Sequence, residues 1–294
     1  VKNVIVHPLP MTYAGEDDSI CIFQNSQLQA VGGNIYEWVT DSTLSDTSIS
    51  NPVASPQIST DYAVIVTDSN NCVNSDTVSV IVNPLPVVNA SPDTQICIGE
   101  NILLNAGGGE IYNWNPMSTL SDPDTSSPLA APVDTTEYFV TVTDSNGCVN
   151  MDSVLIIVNP NLPFADFYST IVCEKQTTVF TNLSNVSGDT IVAWNWSFGD
   201  SNTDTLQNTS NLYSTDGSFL VSLIIITNKN CRDTITDTVF VNAKPEADFV
   251  VSNNCFGETT DFKDTSLIDY GEIVEWTWDF GDNSTVTVNQ NFTY

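Results

Sequence analysis

Apolar and polar residues alternate in short runs along the whole chain, and each run ends in a cluster of Asp, Asn, Ser, Gly or Pro. Residues 138–143, Tyr-Phe-Val-Thr-Val-Thr, form a β-rich run with partial alternation. Asp144-Ser145-Asn146-Gly147 then supplies a turn, and residues 152–158 make the next strand. Over residues 191–198 the period of two puts Val192, Trp194, Trp196 and Phe198 on one face, and Ile191, Ala193, Asn195 and Ser197 on the other. No stretch sustains a helical period, so the pattern predicts an all-β protein with minimal helix.

The pattern also repeats. Residues 7–82 align with 83–158 at an offset of 76, and about 40 of the paired positions are identical. Both copies run Pro-Leu-Pro, Ile-Cys-Ile, Gly-Gly-x-Ile-Tyr-x-Trp, Ser-Thr-Leu-Ser-Asp and Thr-Asp-Ser-Asn-x-Cys-Val-Asn. A second repeat has an offset of 82: Ala165-Asp166-Phe167 recurs as Ala247-Asp248-Phe249, and Cys173 as Cys255. Units of this size with frequent turns imply small β-sandwiches. Val4-Ile5-Val6 matches Val80-Ile81-Val82, so residues 1–6 are expected to be the last strand of a preceding domain. The expected domains are then 7–82, 83–158, 159–242 and a partial fourth, 243–294, with proline-bearing joints between them. A sandwich with an odd number of strands has its ends on opposite sides. The expected arrangement is therefore head to tail, as a rod, with about 40 Å per unit.

Composition narrows function. The chain has 294 residues, 36 acids, 6 bases and one histidine, for a formal charge of −30. Nothing here could neutralise a run of phosphates, so nucleic acid is not an expected partner. An anionic membrane surface is disfavoured, and no apolar run is long enough for direct membrane insertion. His7 stands at a joint where the next repeat has Asn83, so no repeated triad exists; no catalytic residue and no enzyme activity are expected. Carboxylates crowd at Glu16-Asp17-Asp18, Asp122-Pro123-Asp124 and the Phe-Gly-Asp turns. Two readings stay open: a solvated acidic surface, or weak calcium binding between domains. No other cofactor is expected.

The seven cysteines follow the repeats. Cys21 and Cys72 are 51 apart, as are Cys97 and Cys148, while Cys173 and Cys231 are 58 apart. The expectation is one disulfide per domain, Cys21–Cys72, Cys97–Cys148 and Cys173–Cys231, with the partner of Cys255 outside the chain. Each would contribute about 4 kcal/mol in the chain-entropy model and implies an oxidising compartment.

At Trp194-Asn195-Trp196-Ser197-Phe198-Gly199-Asp200 and Trp276-Thr277-Trp278-Asp279-Phe280-Gly281-Asp282 the sequence resembles the PKD (polycystic kidney disease) domain. Tyr213 and Gly217-Ser218-Phe219-Leu220-Val221-Ser222-Leu223 extend the motif, and Ser201 and Asn283 replace a common glycine after the Asp. Residues 7–158 resemble the immunoglobulin-like repeats of Bacteroidetes surface proteins, on Ile-Cys-x-Gly-Glu (residues 96–100), Leu-Ser-Asp-Pro (120–123) and the Asp-Ser-Asn-Gly-Cys turn (144–148). Tyr62 and Tyr138 look like the tyrosine corner of that fold, and Trp38 and Trp114 stand where its core tryptophan would. Core packing is the expected role of these aromatics, with sugar recognition the alternative.

The resemblance implies a fold class of tandem immunoglobulin-like and PKD β-sandwiches. It implies a long cell-surface adhesin of gliding bacteria, exported by a type IX-like route. Triplets like the O-glycan acceptor motif of Bacteroidetes secreted proteins mark Ser19, Thr77, Ser153 and Thr190 as candidate glycosylation sites. The expected partners are other copies or domains of the same long protein and a surface polysaccharide or protein ligand. The expected function is a non-catalytic structural or adhesive segment at the cell surface. The alternatives are a spacer in a secreted hydrolase and a carbohydrate-binding module.

Overall fold

The computed structural model describes residues 5–39, 42–269, 271–288 and 292–293. Among them every regular element is a β-strand. The chain divides into two compact units, Val1–Thr94 with Gly99–Val158, and Gln95–Ile98 with Asn159–Tyr294.

In the first copy of the 76-residue repeat, a four-stranded sheet runs in the order Asp18–Cys21, Val73–Asn83, Thr60–Thr67, Ile35–Trp38. The short entry strand Asp18–Cys21 lies parallel to the long closing strand Val73–Asn83, with Cys21 opposite Asn83. The other pairings are antiparallel. A smaller sheet pairs Ser26–Gln27 with Val53–Ala54. The second copy repeats this order with Thr94–Cys97, Val149–Asn159, Thr136–Thr143 and Ile111–Asn115.

Alternation dictates the core. Tyr62, Val64 and Val66 point inward from one strand, Val78 and Val80 from its neighbour, and Trp38 closes the cluster. Their counterparts Tyr138, Val140, Val142, Val154, Ile156 and Trp114 are fully buried, each contributing about 1.5–3 kcal/mol of burial. Trp38 Nε1 donates to Ile49 O at 2.9 Å, and Trp114 Nε1 to Thr125 O at 3.0 Å. Burial with a satisfied N–H makes both core residues. The tyrosine hydroxyls pair with a threonine hydroxyl nineteen residues earlier, Tyr62 with Thr43 at 2.6 Å and Tyr138 with Thr119 at 2.5 Å. An ordinary tyrosine corner instead uses backbone a few residues upstream. The Gly-Gly pairs are steric: a Cβ on Gly108 (φ +116°) would lie 2.3 Å from Val87 O, as one on Gly32 would from Met11 O.

Residues 159–242 carry a five-stranded sheet, Val172–Cys173, Arg232–Asn242, Gly217–Thr227, Ile191–Ser197, Thr203–Asp204. A three-stranded sheet faces it, Phe167–Ser169, Thr177–Asn182, Thr209–Leu212. Phe167, Phe180, Trp196, Phe198 and Tyr213 fill the core with Val221, Leu223 and Ile225. Trp196 and Phe198 are buried as the period of two predicts, but Val192 is 57% exposed. A register shift between Ile191 and Ala193 inserts Val192 as an extra residue. The bulge turns Val192 out, and Ile191 packs against the core in its place.

Residues 243–294 form two small sheets, Phe249–Val251 with Asp261–Asp264 and Phe292–Thr293, and Trp276–Asp279 with Thr285–Val288. Phe249 and Phe262 flank the buried Trp278. The strand expected over residues 1–6 falls in part on residues 1–4, outside the described ones; Ile5 and Val6 are exposed and in no strand.

Candidate functional site

The cysteines do not pair as their spacing suggested. Cys21 is bonded to Cys148, and Cys97 to Cys231; Cys72, Cys173 and Cys255 are unbonded. The expected pairs Cys21–Cys72, Cys97–Cys148 and Cys173–Cys231 are all replaced. The reason is the parallel entry strand. It sets Cys21 beside Asn83, at the far end of the closing strand, whereas Cys72 immediately precedes that strand's first residue, Val73. Eleven residues of strand span roughly 35 Å, and a disulfide needs Cα atoms within about 7 Å. Cys173 likewise sits opposite Asn242, while Cys231 precedes Arg232. Ile98 N donates to Asn159 O at 2.9 Å, which places Cys97 at the end of Val149–Asn159, with Cys148 before its start.

Residues 7–82, 83–158 and 159–242 therefore each have two cysteine positions. The entry position is a tight turn after the entry strand. Gln24 N donates to Cys21 O at 2.9 Å, and Ile22 N to Asn83 O at 2.8 Å. Around Cys173 the same bonds run from Gln176 N at 3.1 Å and from Glu174 N to Asn242 O at 2.8 Å. The turn position precedes the closing strand. Asp68 Oδ1 accepts from Cys72 N at 2.9 Å, and Asp144 Oδ1 from Cys148 N at 2.8 Å. Thr227 Oγ1 takes that role for Cys231 N at 3.1 Å. The bond from Cys72 N is the main reason the Asp68 carboxyl lies below the usual carboxylate range.

The PKD-like motif residues pack in the core and bond to the backbone and turns around them. Tyr213 OH donates to Phe198 O at 2.9 Å inside the core, and burial is the main cause pushing its hydroxyl up to about 12. Gly199 has φ +79°, and a Cβ there would lie 2.8 Å from Leu220 O. Asp200 Oδ2 accepts from Asn211 Nδ2 at 2.7 Å and from Asn202 Nδ2 at 2.9 Å, tying the turn to the strand Thr209–Leu212. Trp196 Nε1 donates to Leu206 O at 2.9 Å. In the second motif Trp278 is buried, Trp276 and Phe280 are half-buried, and Gly281 and Asp282 are exposed. Trp194 is half-buried, so among the described residues no tryptophan is exposed.

One element escaped the sequence reading. An aspartate in each closing strand accepts a backbone N–H from the segment after the joint: Asp76 Oδ2 from Ala14 at 2.9 Å, Asp152 Oδ2 from Ala90 at 2.8 Å, Asp233 Oδ2 from Ala165 at 2.7 Å. Asn74 and Asn150 add bonds to Pro10 O and Pro86 O, both at 2.9 Å. The recurring Asp of the Asp-Thr-Val and Asp-Ser-Val triplets thus has a structural task. Of the candidate acceptors, Ser19, Thr77 and Thr190 are exposed, and Ser153 is half-buried with its hydroxyl donating to Glu137 at 3.2 Å.

The acidic clusters use protein donors. Glu16 accepts from Tyr13 OH at 2.5 Å, Asp17 from Ser79 N at 2.8 Å and Asp18 from Ser26 Oγ at 2.6 Å. Asp122 accepts from Asp124 N at 3.1 Å, and Asp124 from Asn113 at 2.9 Å. Among the described residues no three His, Cys, Asp or Glu side chains are grouped so as to hold a metal ion. No helix there is long and apolar enough to cross a membrane.

Residues 160–241 match the family model of the PKD domain. No curated protein matches the chain. Among solved structures it is similar to the PKD1 domain of Vibrio anguillarum Epp, at 25% identity over 27% of this chain and 93% of that one, TM-score 0.26. It is similar to the PKD1 domain of the Vibrio cholerae metalloprotease PrtV, at 30% identity over 27% and 96%, TM-score 0.26. The three N-terminal domains of the bacteriophage RB49 outer capsid protein Hoc match 79% of this chain and 96% of theirs, at 12% identity and TM-score 0.38. With its sheets and the family match over residues 160–241, the chain is an all-β series of sandwich repeats that includes a PKD-like segment.

Proposed function

We propose that this chain is a non-catalytic structural and adhesive segment of a long extracellular surface protein, of the kind that gliding Bacteroidetes export by a type IX-like route. The observation that carries the reading is the pair of disulfides joining cysteines of successive repeats, Cys21 to Cys148 and Cys97 to Cys231. Bonds of this kind persist in oxidising, extracytoplasmic compartments. They also limit how far the chain can extend under tension, because they shorten the covalent path through it. The net charge of −30 keeps such chains soluble and apart. Its partners in this reading are further domains of the same protein and a surface polysaccharide or protein ligand, with glycans on the exposed Asp-Ser/Thr triplets.

Electron microscopy of the native protein, immunolabelled on the cells that make it, tests this. Beaded fibres many domains long are the expected result. A short stalk carrying a large globular body would overturn it and make these sandwiches spacers of that body.

A further inference from the structure

The two disulfides obey one rule: the entry cysteine of a sandwich bonds the turn cysteine of the next. Cys21 and Cys97 are entry cysteines; Cys148 and Cys231 are turn cysteines. Two further cysteines occupy the same two positions without partners. Cys72 is the turn cysteine of residues 7–82, held by Asp68 as Cys148 is held by Asp144. Cys173 is the entry cysteine of residues 159–242, in the tight turn that also surrounds Cys21. Burial separates the two classes. Cys148 and Cys231 are fully buried and Cys21 and Cys97 nearly so, whereas Cys72 and Cys173 are half-buried. Their backbone settings are the same, so the difference is the neighbour that covers the sulfur.

We propose that Cys72 and Cys173 are open halves of this same cross-link, each taking a thiol from another sandwich of this design. Cys72 takes an entry cysteine from a sandwich placed before residue 7. Cys173 takes a turn cysteine from the sandwich that begins at residue 243, which shows an entry cysteine, Cys255, and no turn cysteine among the described residues. In each bond two S–H bonds break and one S–S bond forms. The two protons and two electrons go to a disulfide oxidant, a thiol–disulfide oxidoreductase or a small disulfide, which leaves as two thiols. The product is a covalent register running across domain boundaries. This goes beyond the surface role proposed above and does not rest on it.

The test is disulfide mapping of the native protein, alkylated without reductant, digested and analysed by mass spectrometry. The expected result is that Cys72 and Cys173 resist alkylation. Cys72 should be recovered linked to a peptide with an Ile-Cys entry sequence, and Cys173 to one with a turn cysteine. A mass unchanged by reduction, apart from the added hydrogens, places the partner in the same polypeptide; a mass that falls to one chain places it in a second copy. Alkylation of both cysteines, a mixed disulfide with a small thiol, or a Cys72–Cys21 or Cys173–Cys231 link would each overturn the proposal.

Discussion

Cys21 lies opposite Asn83 at the last position of the closing strand, with the length of that strand between it and Cys72. That register excludes a bond between the two, and the bond Cys21 makes instead, to Cys148 of the next repeat, limits how the chain can be stretched. With both disulfides closed, the shortest covalent path from Cys21 to Cys231 crosses one bond, follows the 51 residue steps from Cys148 back to Cys97, and crosses the other.

Single-molecule stretching reads this directly. Between backbone anchors next to Cys21 and Cys231, the oxidised chain extends to about 190 Å at most even when every sheet is open, against about 735 Å along the 210 residue steps of the reduced chain. Reductant should release the difference. An oxidised chain that reaches the longer value without reductant contradicts the pairing.

Phe23 is a bulky, 73% exposed residue at φ +71°; two of the equivalent turns have Gly99 at φ +86° and Gly257 at φ +91°, and the third has Lys175 at φ +60°. The left-handed region disfavours a side chain with a Cβ by about 1–2 kcal/mol, and little packing would be lost. Phe23→Gly should stabilise the first repeat by about 1 kcal/mol, and Ser201→Gly, at φ +76°, should act in the same direction on its own sandwich. Denaturant titration with domain-resolved hydrogen exchange checks both. A lower midpoint for either would show that its side chain makes a stabilising contact.

Asp152 accepts the Ala90 N–H, and Asp76 and Asp233 do the same in their own sandwiches. A charge-assisted bond of this kind is worth about 1.5–3 kcal/mol. Asp152→Ala should lower the midpoint of the second repeat by that amount and raise amide exchange at Ala90. Unchanged exchange at Ala90 would remove this role from the aspartate.

The fold was legible where local rules decide it. The period of two named Trp196 and Phe198 as core, and the resemblance to immunoglobulin-like repeats named Trp38 and Trp114; all four are buried. The disulfides were not legible, because equal spacing says nothing of which end of a strand a cysteine occupies. That depends on the parallel entry strand, a pairing that no periodicity marks. Val192 was misplaced because one bulged residue inverts the alternation beyond it. Asp76 and Asp152, in their closing strands, stand inside triplets that read equally well as modification sites. The Ala14, Ala90 and Ala165 amides that donate to Asp76, Asp152 and Asp233 lie 62, 62 and 68 residues away in sequence, so no local pattern marks the bonds.

Tyr213 ties pH to the stability of the PKD-like sandwich. Its hydroxyl donates to Phe198 O in the core, and burial raises its pKa to about 12 from 10.0. The unfolded chain therefore gives up this proton first, so it binds fewer protons than the folded chain between those values, and stability falls as pH rises. The contribution is fully present below pH 10 and is lost progressively up to about pH 12, at about 1.4 kcal/mol per unit. Tyr213→Phe leaves the carbonyl of Phe198 without its donor, which should cost about 1–2 kcal/mol at neutral pH. The same change should flatten the alkaline limb of the stability curve for residues 159–242. Urea titrations of both proteins at neutral and alkaline pH separate the two effects. A variant that loses stability at neutral pH but keeps the wild-type alkaline slope would assign that slope to another group.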